Sequence, residues 1–487
     1  MSLKKQAVSG VIWSFIEQFS NQIIGFILSI VLMRLLSPAD FGLMAMIYVF
    51  FTIANVVLES GLNFSLIRTK NATELDYCTV FYFNIFLGIV LFLMFFFIAP
   101  FIALFFKQIV LTNIIRVYSI SFIISACTSI QNTIFIKHLE FKKTMLISLF
   151  ANSISAVVGI YMAYNNYGVW AIVNLTLSAL FVTSVTVWFV SKWRPKLIFD
   201  WKILKFHLNF GYKLTLTNLS DAFFRNMYNL IIGKVYPAAI LGFYSRADSI
   251  KKLSVYVLIT AVNKVSYPLL AAQNDEEIVN KKNKKLIQIS GFLTTPFLIF
   301  LIIYAEPVII TLFSEKWRQA IPFYQILCIS GILFPMTNFN VSILNVKGRS
   351  DLVLKLEVIN KLFLIICVYF TYKYSIYVML YTQILFSIFE YCTNIYISQK
   401  ISNYSLINQI KDYSKVLLAA LLTALLVYII DKFFVNIGFG HIIRLIFGSI
   451  IFGILYLGLS DVFKIESFIE IKDIVISRLA KIKQSKV

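Results

Sequence analysis

The chain has 487 residues, 59% of them hydrophobic and 14% charged, with a mean hydropathy of +0.83. That load excludes an ordinary soluble domain, because continuous apolar runs of the ~20 residues a helix needs to cross hydrocarbon recur along the whole length. The net charge of +21 invites a nucleic-acid partner, but its distribution, given below, assigns it to membrane topology instead. The runs are continuous and not alternating, so they read as helices and not as barrel strands.

Taken in chain order, the first segment lies near residues 11–36. It places Ser14, Gln18, Asn21, Gly25 and Ser29 at steps of three and four, which is one helix face, with Glu17 beside it. It is longer than a signal-peptide core and is expected to stay in the protein. The second, near 40–67, adds Asn55, Glu59 and Asn63 at steps of four. Segments near 79–106, 110–136, 144–165 and 168–191 carry a single charge, Arg116. The stretch Lys192–Lys205, with Trp193, Pro195 and Asp200, reads as a basic linker. The seventh segment, near 208–233, holds Asn218, Asp221, Arg225 and Asn229, and the eighth, near 238–269, holds Arg246, Asp248, Lys251, Lys252 and Lys264. Six further segments lie near 285–305, 320–346, 352–373, 375–399, 413–431 and 440–463. From Lys464 onward, Ile465, Phe468, Ile469, Val475, Leu479 and Ile482 fall at roughly helical spacing between lysines, a pattern that suits a helix on an anionic leaflet.

With the N-terminus cytoplasmic, the inside connections and tail hold 28 of the 44 lysines and arginines and the outside connections hold 8. That asymmetry follows the positive-inside rule. Five cysteines (Cys78, Cys127, Cys328, Cys367, Cys392) show no paired spacing, and three histidines (His138, His207, His441) are far apart. Neither a disulfide frame nor a metal site is expected, and no cofactor motif or catalytic loop is present.

The chain repeats itself at an offset of 200 residues. Arg34 corresponds to Lys234, Ala39 to Ala239, Gly42 to Gly242, Gln18 to Asn218, Asn21 to Asp221, Ser29 to Asn229 and Asn63 to Asn263. The two copies start six segments apart, so they share one orientation, as two parallel six-helix bundles. The expected fold is an all-α membrane protein of about fourteen transmembrane helices. It comprises an N-terminal six-helix lobe (1–191), a cytoplasmic linker (192–207), a second six-helix lobe (208–399), two extra transmembrane helices (400–463) and a basic amphipathic tail (464–487).

Polar groups inside spans are expensive and face a cavity or one another. The first two segments of each repeat are the polar ones, and they would line a cleft between lobes. Arg225, Arg246 and Lys264 are the cationic candidates for holding a phosphate, with Asn21, Asn218 and Asn55 beside them. Glu17, Glu59 and Asp221 are candidates for proton or sodium coupling. The competing reading is that such groups form internal pairs, for example Asp221 with Arg225 four residues on.

At Arg34-Leu-Leu-Ser-Pro-Ala-Asp-Phe-Gly42 the sequence resembles the opening signature of the polysaccharide transporter family, in the superfamily that also holds multidrug-extrusion and lipid II flippases. The resemblance continues through Gly61-Leu-Asn-Phe-Ser-Leu-Ile-Arg68, Thr79-Val-Phe-Tyr-Phe-Asn84, Ala99-Pro100, Gly242-Phe-Tyr-Ser-Arg246-Ala, Tyr267-Pro268 and Glu315-Lys-Trp317. It is greatest with the colanic-acid and teichuronic-acid exporters. It implies a V-shaped, two-lobed carrier, not an enzyme, in a bacterial plasma membrane with both termini cytoplasmic. That carrier moves an undecaprenyl-pyrophosphate-linked oligosaccharide outward for surface polysaccharide synthesis. The partners implied are the lipid-linked substrate, membrane lipids and a polymerase or other export machinery, with no nucleic acid. By motif, Arg34, Arg68 and Arg246 match cavity arginines that engage pyrophosphate in related flippases, and the topology puts Arg34, Arg68 and Lys234 at gate or interface positions. Lys234 departs from an arginine there, exchanging a bidentate donor for a point charge. The alternatives are a drug/cation antiporter of the same superfamily, which calls for a carboxylate-dominated cavity, and a membrane polymerase or ligase, which calls for a larger outward loop.

Overall fold

The computed structural model describes residues 3–59, 61–271 and 275–473, with side chains described for 12–59, 61–255 and 275–473. The described residues hold helices and no strand. The chain divides into two compact units, Met1–Ser245 and Arg246–Val487.

The first unit begins with α1 (Leu3–Leu35), α2 (Pro38–Glu59), α3 (Leu62–Arg68) and α4 (Glu74–Phe106). It continues with α5 (Leu111–Tyr118), α6 (Ile120–Lys137), α7 (Phe141–Tyr164), α8 (Val169–Val190) and α9 (Trp201–Val235), and takes in the start of α10 (Ala238–Ala271). The second unit follows with α11 (Glu276–Ile303), α12 (Ala305–Phe313), a single 3-10 turn (Glu315–Trp317), α13 (Ala320–Gly331) and α14 (Phe334–Val346). It closes with α15 (Ser350–Thr371), α16 (Ile376–Ser402), α17 (Leu406–Ile437) and α18 (His441–Val462).

Each of the fourteen expected segments falls on one helix or a pair of helices among the described residues. Eleven helices or helix pairs among the described residues are long and apolar enough to cross a membrane. The other three segments fall on α9, α10 and α15, which run to 35, 34 and 22 residues but are more charged, α15 through Asp351, Lys355, Glu357 and Lys361. Several spans start where short polar side chains cap them. Thr73 and Asp76 form a capping box at α4 (Thr73 N to Asp76 Oδ2, 2.7 Å), and Ser37 with Asp40 does the same at α2 (3.0 Å). Asp200 accepts from the Lys202 and Ile203 amides to start α9, so residues 201–207, expected as part of a linker, are helical.

Outward surfaces are apolar. On α4, Phe97, Phe101 and Leu104 are 68%, 70% and 70% exposed, which places that face in lipid. Lipid is as apolar as a leucine core, so burial alone does not drive helices together in such a setting. Tight packing and hydrogen bonds do. In the first unit, Phe51 stacks on Phe122 with centroids 4.9 Å apart and meets Phe95 and Tyr118 at 4.8 and 4.6 Å. Asn84 of α4 donates to Ser129 of α6 at 2.9 Å. In the second unit, a buried knot joins α14, α16 and α17. Asn340 and Gln409 exchange amide bonds of 3.0 and 3.1 Å, and Ser398 donates to Asn340 at 3.0 Å.

The last two helices are tied by a bidentate ion pair, with Arg444 donating to both Asp431 oxygens at 3.0 and 2.6 Å. Beyond α18, residues 466–473 are helical and pack on the unit. Lys285 pairs with Glu470 at 2.6 Å, and Gln288 donates to both Asp412 and Glu466 at 3.0 Å. Val475, Leu479 and Ile482 of the expected amphipathic tail lie outside the described residues.

Candidate functional site

The polar residues of α1 are divided between two environments. Glu17 accepts from Thr144 at 3.0 Å, Asn21 donates to Ser148 at 3.3 Å, and Asn152 donates to Asn21 at 3.1 Å. Thr144, Ser148 and Asn152 are four residues apart and share one face of α7, so Glu17 and Asn21 belong to a seam of side-chain bonds between α1 and α7. Arg34, in the last turn of α1, is exposed.

On α2 the arrangement is open. Asn55 and Glu59 are exposed, on the same face as Thr52 and the 57% exposed Tyr48. A polar face left uncovered on a span as apolar as α2 is suited to water, not to hydrocarbon.

α9 carries the sharpest feature. Asn218 and Arg225 are exposed and lie two turns apart on one face, with Asp221 half-buried between them. The i,i+4 bridge from Asp221 does not form, and Arg225 makes no ion pair among the described residues. Below them, Asn226 is satisfied by the Ala222 carbonyl at 2.9 Å. α9 itself lies antiparallel along α2, held at Gly61, where the chain turns with φ +64° and a Cβ would meet the Gly211 backbone.

The two ends of α9 are fixed differently. Lys234 donates to the Phe105 carbonyl at 2.6 Å, and its ammonium sits 4.1 Å from the Phe105 ring centroid, so it ties α9 to the end of α4. At the opposite end Arg68 stacks over Phe210 at 4.7 Å. Nearby, His207 bridges Ser65 (2.7 Å) and Asp76 (3.0 Å). The residue types match a nucleophilic triad, but Ser65 and His207 are 3% and 0% exposed. The trio joins α3, α4 and α9 and presents no nucleophile to a substrate.

In the second unit, Asp248 of α10 is buried between Lys251 at 2.8 Å and Lys252 at 2.6 Å. The Lys251 stem packs on Gly331 of α13. Arg246 is half-buried. Lys264 lies on the α10 backbone but outside the residues whose side chains are described, as does Asn263.

One polar seam escaped the sequence reading. Asn360 of α15 donates to Asn394 of α16 at 3.3 Å and accepts from Thr393 at 2.9 Å, with the Glu357–Lys361 pair (3.3 Å) beside it. Gln383, Ser387, Glu390 and Asn394 sit at steps of four, three and four on α16, a periodicity that would have revealed the stripe. No group of histidine, cysteine, aspartate or glutamate among the described residues is placed to hold a metal ion.

Long apolar helices with open polar faces define a multi-span, all-helical membrane protein. Over residues 31–322 the chain matches the family described as "Polysaccharide biosynthesis protein", and it belongs to that family. It is 28% identical over 357 residues to the teichuronic acid biosynthesis protein TuaB of Bacillus subtilis (strain 168), covering 72% of this chain and 73% of the relative. It is 27% identical over 363 residues to the lipopolysaccharide biosynthesis protein WzxC of Escherichia coli (strain K12), covering 74% and 73%. Among solved structures, the fold is similar to the lipid II flippase MurJ in its inward closed conformation, with TM-score 0.76 and 15% identity over 93% of this chain and 98% of that one. An inward-facing multidrug resistance MATE family transporter shares it at TM-score 0.61 and 16% identity, over 79% and 96%.

Proposed function

We propose that this protein is a flippase that moves a lipid-linked oligosaccharide from the inner to the outer leaflet of a bacterial plasma membrane, for assembly of a surface polysaccharide. The observation that carries the reading is Arg225, an exposed guanidinium with no ion pair among the described residues, inside a 35-residue helix and in line with Asn218. A fixed cation in a span is costly unless water or an anion meets it. A pyrophosphate headgroup is such an anion, and a planar guanidinium fits its oxygens two at a time. The family match and the names of the relatives, which include a succinoglycan biosynthesis transport protein, support this substrate class and a transporter in place of an enzyme.

In this reading Arg225, Arg246, Lys264, Asn218, Asn55 and Asn21 serve the substrate headgroup, with Asn21 acting through its bonds to α7. Arg34, Arg68 and Lys234 act at the gates, where Lys234 works through its hold on α4. Glu17, Glu59 and Asp221 are the carboxylates available for ion coupling. The apolar tail of the substrate stays in lipid while its charged head, which cannot cross hydrocarbon unaided, is passed along the polar faces. The lysine distribution supports cytoplasmic termini, and a polymerase that consumes the exported unit is the natural partner.

Deleting the gene tests the reading in cells. Lipid-linked repeat units should accumulate on the cytoplasmic face while surface polysaccharide falls. An unchanged pool together with unchanged polysaccharide would refute it.

A further inference from the structure

The segment that leads from α8 into α9, which the sequence reads as a cytoplasmic linker, carries an exposed apolar surface. Leu197 is 93% exposed, Trp201 75%, Phe199 42% and Ile198 37%. Asp200 is extended between the two aromatic residues (φ −135°, ψ 122°), which turns both rings to one side, and they meet edge to face with centroids 5.2 Å apart. Three consecutive large apolar side chains and a tryptophan left in water form the kind of patch that marks a partner or a membrane.

The backbone under this surface is pinned. The Lys196 amide donates to Cys78 Sγ at 3.3 Å and the Asp200 amide to Thr79 Oγ1 at 3.2 Å, both on α4. Asp200 in turn accepts from the Lys202 and Ile203 amides, which joins the segment to the start of α9. The pins also set its depth. Cys78 and Thr79 immediately precede the uncharged run Phe81–Phe106, which at ~1.5 Å per residue outreaches the ~30 Å of a hydrocarbon core. Residues 196–201 therefore lie at the level of headgroups and first methylenes. A soluble partner would need them clear of that layer.

Charge narrows the kind of bilayer surface. Residues 192–205 hold Lys192, Arg194, Lys196, Lys202 and Lys205 against one carboxylate, Asp200. Arg194 is taken up by the carbonyls of Trp188, Ser191 and Trp193. The four lysines are exposed and make no ion pair among the described residues. The first turn of α4 adds Glu74 and Asp76, and Asp76 already accepts from Thr73 and bonds His207. Cations remain in excess. Aromatic side chains flanked by lysines settle at the boundary of a bilayer, and unpaired lysines there draw anionic lipid.

We infer that Leu197–Trp201 is a membrane anchor. Leu197, Phe199 and Trp201 insert at the headgroup boundary of the leaflet on that side, and Lys192, Lys196, Lys202 and Lys205 gather anionic phospholipid around them. The anchor is independent of the transport reading, because insertion is measured without transport.

The test is tryptophan fluorescence of the full-length protein in mixed vesicles of phosphatidylcholine and phosphatidylglycerol, with bromine on the acyl chains of one lipid at a time. The emission lost in Trp201→Phe, which keeps an aromatic ring at an exposed position, isolates the Trp201 signal. Brominated lipid should quench that signal, and acrylamide in the water should reach it poorly. At equal mole fraction, brominated phosphatidylglycerol should quench it about two- to fivefold more steeply than brominated phosphatidylcholine, and replacing the four lysines by glutamine should remove the difference. If that fourfold variant does not fold, Lys196→Gln/Lys202→Gln decides, with the difference reduced. Free access of acrylamide without quenching by either brominated lipid overturns the inference and leaves the surface to a soluble partner. Equal quenching of the wild type by the two brominated lipids also overturns it, because the lysines then gather nothing.

Discussion

Gly42 and Gly242, 200 residues apart in the chain, sit against each other at the starts of α2 and α10. A Cβ on Gly42 would run into the Ala238 carbonyl oxygen, and a Cβ on Gly242 would run into the Pro38 carbonyl oxygen. The two contacts are related by the same offset, 42 to 238 and 242 to 38, so the approach is self-complementary in the manner of a two-fold interface. The atoms met are backbone, which no rotamer change relieves. Gly42→Ala and Gly242→Ala should each destabilise this conformation by about 1–3 kcal/mol, as overpacking does. Combined, they should cost less than the sum, because once the helix starts are apart the second methyl meets little. Unfolding temperatures of the three variants in detergent check this, and wild-type stability in both single variants would mean the contact does not form.

Arg225 makes the second prediction. Arg225→Ala should leave folding and membrane level unchanged, since the side chain is exposed and breaks no pair, yet reduce export more than about tenfold, the loss of one charge-assisted bond or more. Arg225→Lys should recover part of the activity, because charge is kept while the two-pronged donor is not. Surface polysaccharide per cell at matched protein level is the readout. Full export by Arg225→Ala would remove this residue from the site.

Lys234 differs in kind, because its partner is known. Lys234→Met keeps most of the stem and deletes the donor to the Phe105 carbonyl. A loss of about 1.5–3 kcal/mol is expected for a bond from a charged donor. Lys234→Arg should retain most of it. Thermal unfolding of both variants separates this tie from a role in substrate contact, which would leave stability untouched.

The Asp431–Arg444 pair is buried, with both side chains 10% exposed. Removing one partner strands a charge, so Arg444→Ala should cost about 3–5 kcal/mol. The double variant Asp431→Ala/Arg444→Ala should be more stable than Arg444→Ala alone. If the single and double variants are equally unstable, the pair is not the tie between α17 and α18 that the geometry indicates.

How far the sequence reveals all this depends on the kind of residue. Apolar runs such as Phe81–Phe106 announce a span because nothing else tolerates them, and the helices fall where those runs lie. The 200-residue repeat was readable from Gly42 and Gly242, but their contact was not, since an offset states equivalence and says nothing of distance. Glu17 and Asn21 stood out as expensive polar groups. Their partners Thr144, Ser148 and Asn152 did not, because a hydroxyl or one amide in an apolar run satisfies itself on the preceding turn and carries little signal. Spacing likewise allowed an Asp221–Arg225 bridge that the side chains do not make. The triad-like Ser65–His207–Asp76 set is spread over 142 residues, and only the fold brings it together.

Passage of the headgroup of a lipid-linked oligosaccharide through the membrane can be followed directly. The most direct measurement uses vesicles reconstituted with purified protein and a lipid-linked oligosaccharide, following the fraction of sugar that an external, impermeant oxidant reaches over time. With wild-type protein that fraction should rise from the outer-leaflet share toward the whole pool, and with Arg225→Ala it should stay near the level of protein-free vesicles. A wild-type time course no faster than that of protein-free vesicles would contradict the account.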